Sequence, residues 1–297
     1  MMQLVDIGSF SELNDLADEC GKLSLKRSSP DKGEEFYLFR GARRCYDLMS
    51  SIQVNLSGEH PIDWGTKIHR FEKDLLNRYL VEVEPFDRLE KQYEWFKRPY
   101  PPTDAFYYLS VLQHFGCPTR LCDFTSDFWI AVFFACYRAD ENHAPCVYRL
   151  KCQNADESNK GGNKVPRMPD GSCWSSCDIN SLLGYLIGFR GFENPSEPIR
   201  KDIDCYLRKE RGGQMYGWDQ PYFGNARIDA QRGFFVYPVD VASPLGDVIE
   251  KDPSAELVQF RISTKLIHKV KEELKERDLI EWKLYLDLDR VFSSWFS

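Results

Sequence analysis

The stretch QHFGCPTRLCDFTSDFWIAVFFACY, residues 113–137, joins a polar segment to the longest apolar run of the chain. Because residues 128–137 carry no charge, they predict a buried helix rather than an amphipathic surface helix. Three polar residues are suited to cap its start: Thr125, Ser126 and Asp127. Backbone N–H groups at a helix start favour anions, so Asp123, Thr125 and Ser126 lie where a phosphate or polar cofactor would bind. Ordinary capping explains Thr125 and Ser126 equally well, so both interpretations stay open.

A second candidate residue lies at the end of a predicted strand. Residues 35–40, EFYLFR, are rich in aromatic side chains of high β propensity and end at Gly41. Arg40 would therefore present its guanidinium at a sheet edge, where a planar donor fork suits bidentate capture of phosphate or carboxylate. The alternative is an arginine that snorkels to the surface or pairs with a core carboxylate.

The rest of the chain predicts several helices and further strands. Helical spacing of apolar residues is found at 10–25, 64–95 with a break near Pro85, 105–115, 267–279 and 288–296. Strand patterns are found near Tyr148, after Gly233 and at 256–262. We therefore expect an α+β protein in which a small mixed or antiparallel sheet is wrapped by helices.

The domain organisation follows from these elements. We expect residues 1–34 to be an N-terminal helical addition and residues 35–297 to be one domain. A stretch rich in glycine and proline, 154–176, predicts a surface insertion within that domain.

Composition and charge exclude several classes of protein. The chain has 297 residues, of which 42% are hydrophobic, 29% charged and 14% aromatic, as in a globular protein with a sizeable core. Its longest apolar run has ten residues, and about 20 are needed to cross a bilayer, so we expect no membrane partner. The net charge of −7 argues against a protein whose main task is to grip nucleic-acid backbone.

The cysteines and the N-terminus indicate the compartment. The N-terminus lacks the pattern of a secretory signal, and ten cysteines are spread over the chain, so we expect reduced thiols and a cytoplasmic location. Cys173 and Cys177 could lie one helical turn apart, but no second pair completes a zinc pattern. We expect no metal site.

A third polar segment is NARIDAQRGFFVYP, residues 225–238, which carries polar side chains at the entrance of a strand. One hypothesis is that these side chains and two earlier arginines form a basic pocket: Arg227, Gln231, Arg232, Arg40 and Arg120. Such a pocket would favour an anionic ligand such as a nucleotide. Alternatively, the arginines pair singly with some of the 46 acidic residues.

Two further residues of the first segment are candidates for chemistry. Imidazole titrates near neutrality, so His114 could be a general base or polarise a ligand, although His near a helix end also caps carbonyl groups. Asp123 lies between two apolar residues just before the buried helix. We expect it to be buried and paired with Arg120 or Arg40.

Four blocks of this chain resemble, in order and spacing, the signature of the FRG domain family. They are FRG at 39–41, QHFGCPTRLCDFT at 113–125, NARIDAQRGFF at 225–235 and LYLDLDRV at 284–291. Family members usually read QHYGLPTRLLDWT in the second block, and Phe115, Cys117, Cys122 and Phe124 depart from it conservatively. The resemblance implies a domain found in bacteria and phages, and it implies no particular activity.

A weaker resemblance connects the chain with mono-ADP-ribosyltransferases of the Arg-Ser-Glu type. FRG followed by DFTSDFWIAVFFA and AQRGFFVYP looks like the same order of parts. This implies NAD as the cofactor, with Arg40 on its phosphate or ribose and Thr125 and Ser126 buttressing the pocket. The place of the catalytic Glu falls at 231–233, where a neutral Gln loses the charge that stabilises an oxocarbenium-like transition state. Asp123 or Asp229 would substitute, or the fold binds its ligand without transfer.

The sequence thus leads to two hypotheses. The first is a nucleotide- or NAD-recognising FRG domain, an ADP-ribosyltransferase-like effector in conflict between bacteria and phages, with a protein or nucleic-acid acceptor. The second is a non-catalytic interaction or regulatory module whose blocks are structural. The candidate catalytic residues are Gln231, Asp123 and His114. The candidate cofactor-binding residues are Arg40, Gly41, Arg120, Thr125, Ser126 and Arg227.

Overall fold

The protein was analysed as a computed structural model. It describes residues 2–23, 35–56, 58, 64–79, 81, 105–114, 116–140, 142–153, 216–220, 226–238, 241–251 and 255–285. The strands are β1 (Gln3–Ile7), β2 (Glu35–Ala42), β3 (Cys122–Thr125), β4 (Cys146–Gln153), β5 (Tyr216–Asp219), β6 (Gly233–Pro238) and β7 (Glu256–Ile262). The longer helices are α1 (Phe10–Gly21), α3 (Trp64–Arg78), α4 (Ala105–His114), α5 (Phe128–Cys136) and α8 (Ile267–Glu276). The shorter helices are α2 (Ser51–Asn55), α6 (Ala226–Ala230), α7 (Leu245–Glu250) and α9 (Glu281–Tyr285).

The described strands form one sheet in the order β1-β7-β4-β2-β3-β6-β5. β1 runs parallel to β7, and the other neighbours are antiparallel. The sheet is therefore mixed, and the predicted α+β class is confirmed. Three of its strands, β1, β3 and β5, were not predicted, because each has only four or five residues and too little alternation to stand out.

Helices cover both faces of this sheet. One face carries α1, α5 and α8, whose buried residues share a cluster with Tyr37 and Phe39 of β2. The other face carries α7, which shares a second cluster with Phe36 and Leu38. Successive side chains of a strand point to opposite faces, so the aromatic run of β2 supplies both halves of the core.

The predicted buried helix is α5, and its start is capped as expected. The carboxylate of Asp127 accepts hydrogen bonds from the N–H groups of Trp129 and Ile130, at 2.9 and 3.1 Å. The end of α4 also agrees with the prediction. Gly116, at φ 83°, donates its N–H to Gln113, and Cys117 donates to Leu112, which is the Schellman arrangement.

Gly41 lies inside β2 rather than at a turn, because the strand continues to Ala42. A Cβ at this position would overlap the carbonyl oxygen of Ala131 and approach the nitrogen of Ala135 to 2.7 Å. The missing side chain thus allows the backbone of α5 to lie directly on β2. This packing explains the glycine without a ligand.

The N-terminal segment contains more than the expected helix. α1 begins with a complete capping box between Ser9 and Glu12. Ahead of it, β1 extends the sheet beyond β7 from Gln3 to Ile7. The segment therefore supplies one edge of the sheet as well as a helix.

Other predictions fall outside the described residues. These are the insertion at 154–176, Cys173, Cys177, the helix at 288–296 and the part of the 64–95 prediction beyond residue 81. Among the helices that are described, none has the length and apolar character needed to span a membrane.

Candidate functional site

The candidate site is built where β3 separates from β2. β3 pairs with β6 over its full length, but it pairs with β2 only through Thr125 and Phe39. Beyond that pair, the side chain of Arg40 spans the gap and donates from Nη1 to the carbonyl oxygen of Asp123, at 2.8 Å. An arginine side chain therefore takes the position of a missing backbone donor.

The guanidinium of Arg40 keeps capacity for a further hydrogen bond. Its Nε is buried and has no hydrogen-bond partner among the described residues. Burial alone would lower the pKa of Arg40, but Cys122, Asp123 and Tyr46 raise it above its ordinary value. The group is thus a cation that donates to the carbonyl oxygen of Asp123 and keeps one donor unused.

Asp123 does not have the environment that the sequence predicted. Its side chain is exposed, because Cys122 and Phe124 occupy the core side of β3 and alternation turns Asp123 to the other face. Its Oδ2 accepts from Nε2 of Gln113 at 3.2 Å. The predicted burial was wrong, and the hydrogen bond from Arg40 goes to the backbone carbonyl of this residue.

A chain of polar contacts holds Gln113 in turn. The hydroxyl of Thr119 donates to Oε1 of Gln113 at 2.8 Å, and the N–H of Leu121 donates to that hydroxyl at 3.2 Å. The amide of Gln113 is therefore oriented with its NH₂ group towards Asp123. Thr119 and Gln113 both belong to the predicted second block, although the sequence analysis did not assign either to the site.

Arg120 is buried inside the protein and is not presented at the site. Its Nε and Nη2 donate to the carboxylate of Glu72 on α3, at 2.9 and 2.5 Å, and both side chains are 0% exposed. The backbone N–H of Arg120 also donates to Glu72, at 3.0 Å. The assignment of Arg120 to cofactor binding is corrected by this ion pair.

The sequence held a signal for Glu72 that the analysis missed. Ile68, Glu72 and Leu76 follow one another at intervals of four, so they share one face of α3. All three are buried. A lone carboxylate on the apolar face of a predicted helix indicates a buried cationic partner elsewhere in the chain.

Thr125, Ser126 and Gln231 meet at the start of α5, as the order of the blocks suggested. The hydroxyl of Thr125 donates to the carbonyl oxygen of Gln231 at 2.7 Å and accepts from the N–H of Asp127 at 3.1 Å. The N–H of Ser126 donates to the carbonyl oxygen of Arg232 at 3.1 Å. These contacts attach the turn before β6 to the start of α5.

The side chain of Gln231 is engaged in the same way. Its Nε2 donates to the carbonyl oxygen of Leu284 in α9, at 2.9 Å. In the ADP-ribosyltransferase analogy this position would hold the catalytic carboxylate, and here it holds an amide that joins two elements of the fold.

The predicted basic pocket of four arginines is not formed, because each arginine contacts a different group. Arg227 lies over the ring of Tyr285, at 5.4 Å. Arg232 pairs with Asp127 at 3.0 Å. Arg40 and Arg120 have the contacts described above. These contacts favour the alternative in which each arginine has its own partners, among them a carbonyl group for Arg40 and an aromatic ring for Arg227. His114 ends α4, and its side chain lies outside the described residues.

The described residues thus form an α+β protein with a polar junction between two splayed strands. Comparison with known families identifies the domain: the FRG domain family matches residues 35–144. The chain therefore contains an FRG domain. This match includes the first two predicted blocks and ends before the other two. Searches of the curated proteins and of the solved structures each returned no significant match.

Proposed function

We propose that this FRG domain recognises a nucleotide at the junction of β2 and β3. The observation that carries the proposal is the position of Arg40 next to Asp123. Arg40 has a buried and unused Nε and donates from Nη1 to the backbone carbonyl of Asp123, whose carboxylate is exposed. A guanidinium suits a phosphate or a carboxamide oxygen, and a carboxylate accepts hydrogen bonds from ribose hydroxyls. The amide of Gln113 keeps the carboxylate of Asp123 in one orientation.

NAD is the first ligand to test, because the order of the blocks resembles that of ADP-ribosyltransferases. The proposal concerns recognition rather than transfer. Gln231 is neutral and its amide is bound to Leu284. We assign the ribose 2′-OH to Asp123, whose backbone carbonyl accepts from Arg40, rather than to Asp229 on α6. A role in conflict between bacteria and phages, with a protein or nucleic-acid acceptor, stays a prediction.

Calorimetric titration with NAD, ADP-ribose and ATP tests the proposal. Asp123→Asn keeps the shape of the side chain and removes its charge, and Arg40→Lys keeps the charge and removes the planar fork. We expect each substitution to weaken binding of at least one of these nucleotides by tenfold or more. Arg261→Gln, which removes an exposed arginine elsewhere on the sheet, should bind as the unmodified protein does.

Two further measurements accompany the titrations. Thermal unfolding shows whether Asp123→Asn is folded, and we expect no change because the residue is exposed and accepts one described hydrogen bond. Release of nicotinamide from NAD shows whether recognition leads to cleavage. Absence of saturable binding by all three nucleotides would refute the proposal, as would equal affinity of the Asp123→Asn, Arg40→Lys and unmodified proteins.

A second function is favoured by the internal contacts of the second block. Thr119, Arg120 and Thr125 each bond within the protein, which is the pattern of a scaffold for an interaction or regulatory module. Under this alternative, Asp123→Asn changes neither nucleotide binding nor stability. Capture of a protein partner that is lost on substituting surface residues away from β3 would favour it.

A further inference from the structure

A small basic pocket lies directly after the FRG tripeptide. It has a volume of about 210 Å³ and is lined by Arg43, Arg44, Tyr46, Arg138 and Asp140. The first three belong to the loop that leaves β2, and the last two follow the end of α5. None of the five residues is a candidate site residue on the sequence alone.

The charges of this pocket are mostly free to meet a ligand. Arg43 and Arg44 are exposed, and neither forms an ion pair with another described residue. Arg138 donates to Oε1 of Glu281 at 2.9 Å, and its side chain is still 54% exposed. The pocket is thus lined by three guanidinium groups and one carboxylate. It is locally basic, whereas the whole protein has a net charge of −7.

The carboxylate of Asp140 accepts hydrogen bonds from the residues that follow it in the chain. It accepts from the backbone N–H groups of Asn142 and His143, at 2.9 and 3.0 Å, and contacts Nδ1 of His143 at 3.0 Å. These contacts hold the pKa of Asp140 below its ordinary value, and the hydrogen bond with the side chain of His143 has the largest effect. The pocket therefore keeps an excess of positive charge, which outweighs the weak negative end of α5.

The loop that carries the arginines is fastened to β4. The hydroxyl of Tyr148 donates to the carbonyl oxygen of Tyr46, and the thiol of Cys146 contacts the carbonyl oxygen of Arg44 at 3.6 Å. Tyr46 also interacts with the side chain of Arg40, so the pocket and the β2–β3 junction share a residue. The residue that lines the pocket therefore also contacts the side chain that joins β2 to β3.

We propose that this pocket binds the diphosphate of a nucleotide, and this inference rests on the proposed function of the neighbouring junction. Complete small-molecule sites usually have volumes of about 300–1,000 Å³, so this smaller pocket fits one group of a ligand. Guanidinium groups match the oxygens of phosphate in charge and in geometry. The base and ribose would then extend towards Arg40 and Asp123.

Titration with inorganic pyrophosphate, ADP and adenosine tests the pocket on the full chain. We expect pyrophosphate and ADP to bind saturably and adenosine to bind at least tenfold more weakly than ADP. The double variant Arg43→Gln/Arg44→Gln should weaken pyrophosphate and ADP by tenfold or more and leave the unfolding temperature unchanged, since both residues are exposed. Arg277→Gln removes an arginine that pairs with Glu273 on α8, and it should leave both affinities unchanged.

The outcomes separate this inference from the proposed function. If nucleotides bind and lose affinity in Asp123→Asn but not in Arg43→Gln/Arg44→Gln, the pocket is refuted and the junction stands. If pyrophosphate binds through the two arginines while no nucleotide depends on Asp123, the pocket holds phosphate and the proposed function fails. Absence of saturable pyrophosphate binding, or an equal loss in Arg277→Gln, refutes the pocket.

Discussion

Arg120 and Glu72 form an ion pair with both side chains fully buried, so each charge depends on the other. Glu72→Leu removes the carboxylate that faces the guanidinium of Arg120 in the interior. We expect this change to lower the free energy of unfolding by about 3–5 kcal/mol, measured by urea denaturation. The variant should unfold at a lower urea concentration with an unchanged slope.

The matched control is the ion pair of Arg261 and Asp6, which is exposed to solvent. Arg261→Met removes one partner of this exposed pair, and water solvates the charge of Asp6 that remains. We expect little change in stability. Equal effects of Glu72→Leu and Arg261→Met would show that the buried pair does not hold the second block in place.

At the scale of single residues, the sequence predicted which residues lie near one another better than it predicted what each side chain contacts. Thr125, Ser126 and Gln231 meet as expected, because β3 pairs with β6 and Thr125 lies opposite Gly233. Asp123 and Arg120 were exchanged in burial: the carboxylate is exposed and the guanidinium is buried. Asp123 is exposed because alternation along β3 turns its side chain away from the core. Arg120 is buried because it pairs with Glu72, which lies 48 residues away in the sequence.

At the scale of elements, the contact between β2 and α5 depends on Gly41. Gly41→Ala places a methyl group against the backbone of Ala131 and Ala135, which cannot yield without moving α5. We expect a loss of stability of about 1–3 kcal/mol or more, measured by thermal and urea unfolding.

Gly21→Ala is the control for this prediction. No heavy atom lies within 4 Å of a Cβ at Gly21, and the residue ends α1. Alanine there should be neutral or slightly stabilising, because it favours helix. A stable Gly41→Ala protein would mean that α5 does not lie as close to β2 as described.

The packing of α3 predicts a dependence of stability on pH. Burial first, and the charge of Arg120 second, lower the pKa of His69 from its ordinary value of 6.5 to about 3. Between these values the unfolded chain binds a proton that the folded chain excludes. Stability from the neutral imidazole is therefore complete above pH 6.5 and is lost as the pH falls towards 3.

His69→Gln should remove this contribution, which has a slope of at most about 1.4 kcal/mol per pH unit. We expect the free energy of unfolding to fall less steeply between pH 6.5 and 4 in the variant. His268→Gln, on an exposed position of α8, should keep the slope of the unmodified protein. If the free energy of unfolding depends on pH equally in all three proteins, the burial of His69 is contradicted.

Elements with a strong periodic pattern were predicted closely, and short ones were not. β7 has the expected bounds, and α4 and α5 end within one or two residues of the prediction. β1, β3 and β5 draw their stability from neighbouring strands rather than from their own residues, so a local pattern cannot indicate them. Asp123 was misplaced for the same reason, because β3 itself was not recognised.

At the scale of the whole molecule, the first residues belong to the main sheet. Ile7 lies in the same cluster as α1 and α5, and β1 covers the edge of β7. Deleting residues 1–23 should expose that edge and part of the core, which favours pairing between chains. We expect a lower unfolding temperature and self-association, measured by calorimetry and size-exclusion chromatography.

Two substitutions within β1 refine this prediction. Ile7→Asp places a charge in the core and should reproduce the effect of the deletion, whereas Leu4→Asp changes a residue that is 50% exposed and should not. A monomeric, equally stable protein lacking residues 1–23 would support the predicted division at residue 34. The order of strands in the sheet could not be predicted, since it depends on pairings between distant segments.

The pairing of β1 with β7 also has a consequence during synthesis. Gln3 pairs with Val258, so the two strands are separated by almost the whole described chain. At about 5–20 residues per second, the ribosome releases the first strand roughly 10–50 s before its partner exists. During that interval β1 is an unpaired strand on a nascent chain, and its edge of the sheet forms only after β7 has been made.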